Sequence, residues 1–241
     1  QQTYTIWELI IVDDGSTDNT LEILQLYSKL DNRISYYVRP YSLKKGANSC
    51  RNYGLIKSKG ELIKWVDSDD ILTPDSLEKQ VIVFKLNNKI KMCLGYGKFL
   101  SNGSDMSQLN WSRENVSMNY FSDHIVNKIR WPIGSVMWKR DFLNDSPFDI
   151  RLSNSQEWLM HSFQLLKLKT DEIYNLKDVN YLIRRGHIRI SSSFSCKYFI
   201  NQLKARLILL SSFRKISISD NYQLLKQCLV YFFYSIKYCL K

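Results

Sequence analysis

The order of apolar and polar positions along the chain predicts strands that alternate with helices. An apolar run at residues 7–12 precedes small and acidic residues, after which Leu21, Leu24 and Tyr27 recur at helical spacing. The same alternation continues, with strand-like segments at 34–38, 61–66, 90–100 and 133–138 and helix-like segments at 48–58, from Thr73 onwards and at 155–167. This alternation is typical of a doubly wound α/β fold, so we predict a mainly parallel sheet.

Acidic residues stand directly after two of the predicted strands. Asp13 and Asp14 follow the first strand, and Asp67-Ser68-Asp69-Asp70 follows the third. Ligands of open α/β sheets bind beyond the carboxyl ends of the strands, so we expect both clusters at one rim of the sheet. Carboxylates this close repel one another unless a cation, donor groups or water separates them, and their oxygens suit Mg²⁺ or Mn²⁺. The alternative, that these acids cap the next helix or face solvent, stays open at this point.

Composition and charge narrow the class of protein. The five cysteines are odd in number and form no C-x-x-C pair, so we predict neither a disulfide framework nor a zinc site, and a reducing cytoplasm fits best. No run approaches the roughly 18 apolar residues of a membrane span. The net charge is +11, and residues 195–241 hold eight Lys or Arg against the single acid Asp220. No recognised nucleic-acid motif accompanies this charge, so we expect no nucleic-acid partner.

Four motifs occur in order along the chain. They are V-D-D-G-S-T-D-N-T at 12–20, G-A-N-S-C-R-N-Y-G-L at 46–55, G-E-L-I-K-W-V-D-S-D-D at 60–70, and P-F-D at 147–149 followed by Q-E-W at 156–158. Together they resemble the family-two inverting glycosyltransferases of the GT-A fold over roughly residues 1–190. The resemblance implies transfer of a sugar from a nucleoside diphosphate, most often UDP, to a saccharide or lipid-linked acceptor in bacterial surface polysaccharide assembly.

On the donor side, the resemblance implies a role for two acidic turns. The Asp13–Asp14 turn resembles the turn that contacts uracil and ribose, and Arg51 stands where a basic residue approaches the diphosphate. The D-x-D region of the family is matched by the second acidic cluster, in which ribose contact and ligation of Mg²⁺ or Mn²⁺ are divided among Asp67, Asp69 and Asp70.

On the acceptor side, Glu157 matches the acidic residue of the family's E-D-W-like segment. The resemblance implies that this residue deprotonates the acceptor hydroxyl. An inverting displacement needs such a base, together with a metal that stabilises the leaving diphosphate. The family often has Glu-Asp where this chain has Gln156-Glu157, so the base is one methylene longer. His187 lies in a segment that resembles one closing over the phosphates and is a further candidate metal ligand; a packed or surface histidine is the alternative.

The two ends of the chain depart from the family pattern. Family members begin with an apolar strand and a helix before a segment like Gln2-Thr3-Tyr4, so we expect the first nucleotide-binding strand to be missing from residues 1–194, the GT-A-like domain. Residues 195–241 form a basic, amphipathic helical tail in which aromatic residues alternate with Lys and Arg. Such helices bind anionic membranes, and packing against the sheet or a partner subunit is the alternative.

Two other functions compete with an inverting transferase. A nucleotidyltransferase would also need a metal and carboxylates, together with a Gly-rich basic loop after its first strand. A non-catalytic sugar-nucleotide-binding remnant is the other alternative. The glycosyltransferase interpretation places the protein in the cytoplasm, peripherally on the inner face of the membrane.

Overall fold

A computed structural model describes residues 2–100, 111–112, 116–184 and 194–240. The strands of these residues are β1 (Leu9–Asp13), β2 (Ile34–Val38), β3 (Leu62–Ile63), β4 (Ile71–Leu72), β5 (Met92–Leu100), β6 (Val136–Lys139) and β7 (Ile173–Arg184). The α-helices are α1 (Thr20–Leu30), α2 (Ala47–Lys57), α3 (Ser76–Leu86), α4 (Tyr120–Ile125), α5 (Gln156–Leu165), α6 (Cys196–Leu210) and α7 (Ile218–Cys239). The predicted alternation of strand and helix is present, whereas β4, α4 and β7 were not predicted.

The strands form two sheets. β1 and β2 pair in parallel, and the other five strands form a mixed sheet in the order β3-β6-β5-β7-β4. In the mixed sheet β5 and β7 run parallel, while β3 and β5 pair antiparallel to β6 and β4 pairs antiparallel to β7. Antiparallel pairing is thus more frequent than the sequence predicted. Two of the antiparallel pairs, β3–β6 and β4–β7, join strands that are distant in the chain, and alternation of elements does not fix the direction of such pairs. The third pair joins β5 and β6, which are consecutive, with the short helix α4 between them.

Helices cover both faces of the mixed sheet. Met92 and Leu94 of β5 point into the larger core, which also receives apolar side chains from α2 and from α4 to α7. Cys93, between them, points to the opposite face, where it packs with Val81 and Phe84 of α3. This arrangement of helix, sheet and helix is the three-layer α/β architecture that the sequence predicted.

The tail is a helical hairpin that shares the main core. Ala205 and Leu209 of α6 and Leu224 of α7 are fully buried in it. Cys196 begins α6 and Cys239 ends α7, and the two form a disulfide. The cysteine pattern indicated no disulfide framework, and it did not reveal this one bond. The two cysteines are 43 positions apart, and nothing in that spacing shows that the hairpin brings its ends together. In the part of the chain that the structure describes, no helix combines the length and apolar character needed to cross a bilayer.

Candidate active site

The loop between β3 and β4 gathers three carboxylates. Asp67, Asp69 and Asp70 each offer one oxygen, and these oxygens lie within 4.8 Å of one another. All three residues are partly buried, and the N–H of Asp70 donates to the carbonyl of Asp67 at 3.1 Å. These acids do not cap α3, whose N-cap residue is Asp75. Their oxygens suit Mg²⁺ or Mn²⁺, whose coordination shell phosphate oxygens or water can complete.

Arg51 of α2 lies between this loop and Glu157. Its Nη2 donates to Asp67 Oδ1 at 2.7 Å and lies 4.0 Å from Glu157 Oε1. Only 14% of the Arg51 side chain is exposed. Burial acts to lower the pKa of Arg51, but the charges of Asp67 and Glu157 outweigh it and raise that pKa, so the guanidinium stays charged. The structure thus brings together candidate residues from three separate motifs.

Glu157 is the second residue of α5, and 30% of its side chain is exposed. Burial of the carboxyl and the nearby charge of Asp67 raise the pKa of Glu157 to about 7, against the opposing effects of Arg51 and the Ile133 N–H. A general base works best when its pKa is close to the working pH. The environment of Glu157 therefore meets the chemical requirement for the base that the sequence predicted.

Tyr181 of β7 holds the aspartate loop from behind. Its hydroxyl accepts from the backbone N–H of Asp67 at 3.2 Å and hydrogen-bonds the Asp70 carboxylate. Asp70 Oδ1 also accepts from the N–H of Arg184 at 2.9 Å. The Tyr181 ring lies flat against Gly134, where any Cβ would overlap it. Tyr181 was not among the predicted site residues, because β7 itself was not predicted.

The carboxylate of Asp13 is directed into its own turn. It accepts from the N–H groups of Gly15 at 2.9 Å and Ser16 at 3.0 Å, and from the Ser16 hydroxyl. Burial acts to raise the pKa of Asp13, but the bonds from Ser16 and Gly15 and the charge of Lys45 lower it overall. Asp13 is 5% exposed, so its carboxylate shapes the turn that follows β1.

Asp14 is the more accessible acid of this turn, with 33% of its side chain exposed. Its carboxylate pairs with Arg39 and accepts from the N–H of Gly46 at 3.2 Å. Gly46 is the N-cap of α2, and Arg51 follows on the same helix. At 1.5 Å per residue the two positions are about 8 Å apart along the axis. Helix α2 therefore connects the Asp14 turn to the aspartate loop.

Two asparagines of α2 hold the P-F-D segment. Asn52 Nδ2 donates to the carbonyl of Phe148 at 2.8 Å, and its Oδ1 accepts from the N–H of Phe148 at 3.0 Å. One turn earlier, Asn48 donates to the carbonyls of Asp149 and Leu152 at 2.7 and 2.9 Å. The chain between the P-F-D motif and α5 is thus fixed to the helix that carries Arg51. Neither asparagine was predicted to have a role from the sequence.

No histidine of the described residues lies beside the carboxylates of this site. His187 lies outside the described residues, so its role as a metal ligand stays a prediction. His124 and His161 are buried among tryptophan rings rather than beside carboxylates. Burial lowers the pKa of His124 to about 4 and that of His161 well below its ordinary value, so both rings are neutral.

Comparison with known proteins identifies the family. The model described as glycosyl transferase family 2 matches residues 1–144, and the chain belongs to this family. It is 34% identical over 128 residues to the putative teichuronic acid biosynthesis glycosyltransferase TuaG of Bacillus subtilis, across 53% of this chain and 49% of TuaG. It is 38% identical over 104 residues to the UDP-Glc:alpha-D-GlcNAc-diphosphoundecaprenol beta-1,3-glucosyltransferase WfgD of Escherichia coli, across 43% of this chain and 39% of WfgD. The chain thus aligns with half or less of either relative.

The fold is also found among solved structures. The crystal structure of S. aureus TarS 1-349 in complex with UDP matches with a TM-score of 0.62 and 20% identity, over 95% of this chain and 63% of that chain. Similarity at this level of identity shows the fold alone. It confirms the predicted GT-A fold.

Proposed function

We propose that this chain forms the donor-binding and catalytic part of an inverting glycosyltransferase. In this proposal it moves a sugar from a UDP-sugar to a saccharide or lipid-linked acceptor during cell-surface polysaccharide synthesis. The observation that carries the proposal is the position of the Arg51 guanidinium between the two acids. Its Nη2 lies 2.7 Å from Asp67 Oδ1 and 4.0 Å from Glu157 Oε1. A candidate base and a candidate metal loop thereby face the same small volume, as a displacement at one sugar carbon requires.

Glu157 acts as the general base. The acceptor hydroxyl oxygen bonds to the anomeric carbon, the bond from that carbon to the diphosphate breaks with its electrons going to the diphosphate, and the hydroxyl proton passes to Glu157. Attack on the face opposite the leaving group inverts the anomeric configuration. Arg51 favours the ionised form of Glu157, while burial and Asp67 favour the protonated form, so the carboxylate is basic enough to accept a proton near neutral pH.

Asp67, Asp69 and Asp70 are the residues that would hold Mg²⁺ or Mn²⁺. Three carboxylate oxygens within 4.8 Å of one another fit a hard divalent cation that also takes ligands from a diphosphate. When bound, such an ion stabilises the negative charge that develops on the departing diphosphate. The protein's own part is to fix the carboxylates, which it does through Tyr181 and the Arg184 N–H.

In this proposal the turn after β1 binds the nucleoside. Asp13 shapes this turn from within, and Asp14 presents the more exposed carboxylate beside the start of α2. Arg51 approaches the diphosphate from α2. Asp67 contacts the ribose and is also one of the residues of the metal site. The choice of uridine is supported by the UDP bound to TarS and by the UDP-Glc in the name of WfgD.

In this proposal the outer face of the tail hairpin binds an anionic membrane surface on the cytoplasmic side. Six basic residues of the hairpin are exposed, namely Lys197, Lys204, Arg214, Lys215, Lys226 and Lys237. α7 also exposes a stripe of large apolar side chains, namely Leu225, Leu229, Phe232, Phe233 and Ile236. Basic and apolar side chains together on an exposed helix favour interfacial binding. The lipid-linked acceptor named for WfgD lends further support.

The tail's aromatic residues do not all serve this surface. Phe199 and Tyr231 are among the aromatic residues that alternate with Lys and Arg in the tail sequence, but they pack inside the hairpin, where Phe199 is 7% exposed. The proposed membrane contact therefore depends on Phe232 and Phe233, which are 48% and 65% exposed.

The test is a transfer assay with the purified protein. UDP-glucose and other UDP-sugars are incubated with Mn²⁺ and polyprenyl-diphosphate-linked N-acetylglucosamine, and the anomeric configuration of the product is read by NMR. We expect release of UDP and a product of inverted configuration. A retained configuration contradicts the proposal. A parallel incubation supplies UTP and glucose 1-phosphate in place of the UDP-sugar. Release of pyrophosphate there, with no transfer from UDP-sugars, also contradicts the proposal and identifies a nucleotidyltransferase.

A further inference from the structure

Arg206 of α6 is a buried arginine that no carboxylate neutralises in the described residues. It is 2% exposed, and its guanidinium is held by neutral oxygens. Nη1 donates to the side-chain oxygen of Gln202 at 2.6 Å and to its carbonyl at 3.2 Å, and Nε donates to Gln227 Oε1 at 3.1 Å. Burial of a charge without a counter-ion is unfavourable unless other contacts compensate for it.

Two aromatic rings provide that compensation. The Arg206 Cζ lies 3.9 Å from the ring centroid of Trp158 and 4.5 Å from that of Tyr231. Cation–π contacts are strongest when the cation is removed from water, as it is here. Trp158 directly follows Glu157, so this stack lies one residue away from the candidate base.

Other groups fix the same tryptophan. Its carbonyl accepts from the Ser162 hydroxyl at 2.7 Å and from His124 Nε2 at 3.2 Å. Because a carbonyl only accepts, His124 must carry its proton on Nε2, and the neutral ring described above is consistent with that tautomer. Ser162 belongs to α5 itself, whereas His124 of α4 and Arg206 of α6 hold the carbonyl and the ring of Trp158 from outside that helix.

The first turn of α5 depends on such support. Ser155, just before the helix, has a left-handed φ of 59°, a conformation that a serine keeps only when its surroundings impose it. Glu157 itself is held loosely, by a 4.0 Å approach of Arg51 and by the N–H of Ile133. The direction of its carboxylate thus follows the orientation of the helical turn that also contains Trp158.

We infer that Arg206 is a positioning residue for Glu157, acting through the ring of Trp158. This inference rests on the proposed function, in which Glu157 is the base. Arg206 lies beyond residues 1–144, which match the family. It is also tied to the rest of the hairpin, because Gln227 of α7 accepts a hydrogen bond from Arg206 Nε. The Nε2 of Gln227 donates in turn to the carbonyl of Ile125 in α4 at 2.8 Å. The tail is thereby part of the catalytic framework as well as the proposed membrane face.

The experiment compares Arg206→Met with Lys29→Met, which makes the same kind of substitution at an exposed position on α1, outside the proposed site and membrane face. We expect Arg206→Met to lower kcat roughly tenfold, because a small displacement of a reacting group is costly, while the donor KM and the Kd for UDP stay within about twofold. Lys29→Met should leave kcat, the donor KM and the Kd for UDP unchanged. In a Glu157→Gln background, Arg206→Met should change the residual kcat by less than about twofold, since both changes act on one group.

Arg206→Lys provides a second test if the methionine variant does not fold. Lysine keeps the charge but not the planar stack, so we expect kcat to fall by about threefold with UDP affinity unchanged. A wild-type kcat in both folded variants, or equal losses of kcat and UDP affinity, overturns the inference. If Glu157→Gln alone keeps wild-type turnover, the base assignment fails instead, so the two failures are distinguishable.

Discussion

The hydroxyl of Tyr181 accepts a hydrogen bond from the backbone N–H of Asp67, although 114 residues separate the two. The same hydroxyl bonds the Asp70 carboxylate. A strand outside the four sequence motifs therefore sets the shape of the aspartate loop. The buried ring of Tyr181 cannot shift easily, because it lies against Gly134 and is fully inaccessible to solvent.

Removal of this hydroxyl should weaken metal binding without unfolding the sheet. Tyr181→Phe keeps the ring and loses both hydrogen bonds, so we expect the Mn²⁺-dependent affinity for UDP to fall roughly tenfold, as for other changes behind metal ligands. Calorimetry of UDP with and without Mn²⁺ measures this. Tyr174→Phe, on the exposed part of the same strand, is the matched control. Equal affinities in wild type and Tyr181→Phe contradict the supporting role.

The aspartate loop should bind a divalent ion together with a nucleoside diphosphate. Few protein ligands are available there, so phosphate oxygens complete the shell, and we expect Mn²⁺ to strengthen UDP binding by wild-type protein at least about tenfold. Asp69→Ala should abolish this gain, and Asp145→Ala, at an exposed site, should retain it. UDP affinity that is the same with and without Mn²⁺ in wild type contradicts the metal site.

The raised pKa of Glu157 predicts how stability changes with pH. The pKa of this carboxyl rises from an ordinary 4.5 to about 7 on folding, so the native state holds a proton that the unfolded chain has lost between those pH values. The stability that this proton contributes is fully present below about pH 4.5 and is lost as the pH rises through about 7.

Glu157→Gln removes that titration. In metal-free buffer we expect the variant to gain at least about 1 kcal/mol in unfolding free energy relative to wild type between pH 5 and pH 8. Urea unfolding at the two pH values measures the difference, and other titrating groups cancel because both proteins share them. A difference between the two proteins that is the same at pH 5 and pH 8 would show that the pKa of Glu157 is not raised.

The sequence predicted the candidate site residues better than the residues that support them. Asp67, Asp69, Asp70 and Glu157 occur in short motifs after predicted elements, and the structure brings them to one place through Arg51. Asn52 and Tyr181 act through contacts with residues 96 and 114 positions away, and no local pattern reports such pairs.

The second half of the chain shows why the remaining elements were missed. β7 contains Asn175, Lys177 and Asp178, and Lys177 has a left-handed φ of 57°, so polar and turn-forming signals interrupt a strand that is nevertheless continuous. β5 likewise shifts register against β7 near Gly97. In the tail, helical periodicity was visible, but which face would be buried depended on α4 and α5, which only the folded chain brings alongside.

Membrane binding by the tail should depend on its outer face. A deletion is unsuitable because Ala205, Leu209 and Leu224 belong to the core. We expect Lys226→Glu with Lys237→Glu to lower co-sedimentation with anionic phospholipid vesicles at least roughly tenfold, at about 1 kcal/mol for each basic residue removed. The surface control is Lys29→Glu with Lys89→Glu. Binding should weaken as salt is raised.

The apolar part of that surface is tested separately. Phe232→Ser with Phe233→Ser should remove the binding that persists at high salt, because these two side chains are the exposed aromatics of the stripe. Binding of wild type and of both tail variants to an equal extent, or no binding by wild type, contradicts the membrane proposal and favours a subunit interface.

The most direct test of the proposed function is the turnover of Glu157→Gln. The substitution keeps the size of the side chain and removes its ability to accept a proton, so we predict a fall in kcat of about a hundredfold or more with the Kd for UDP within about twofold of wild type. Glu22→Gln, at an exposed position on α1, should retain full turnover. Wild-type kcat in Glu157→Gln would show that this carboxylate is not the base and would contradict the central claim.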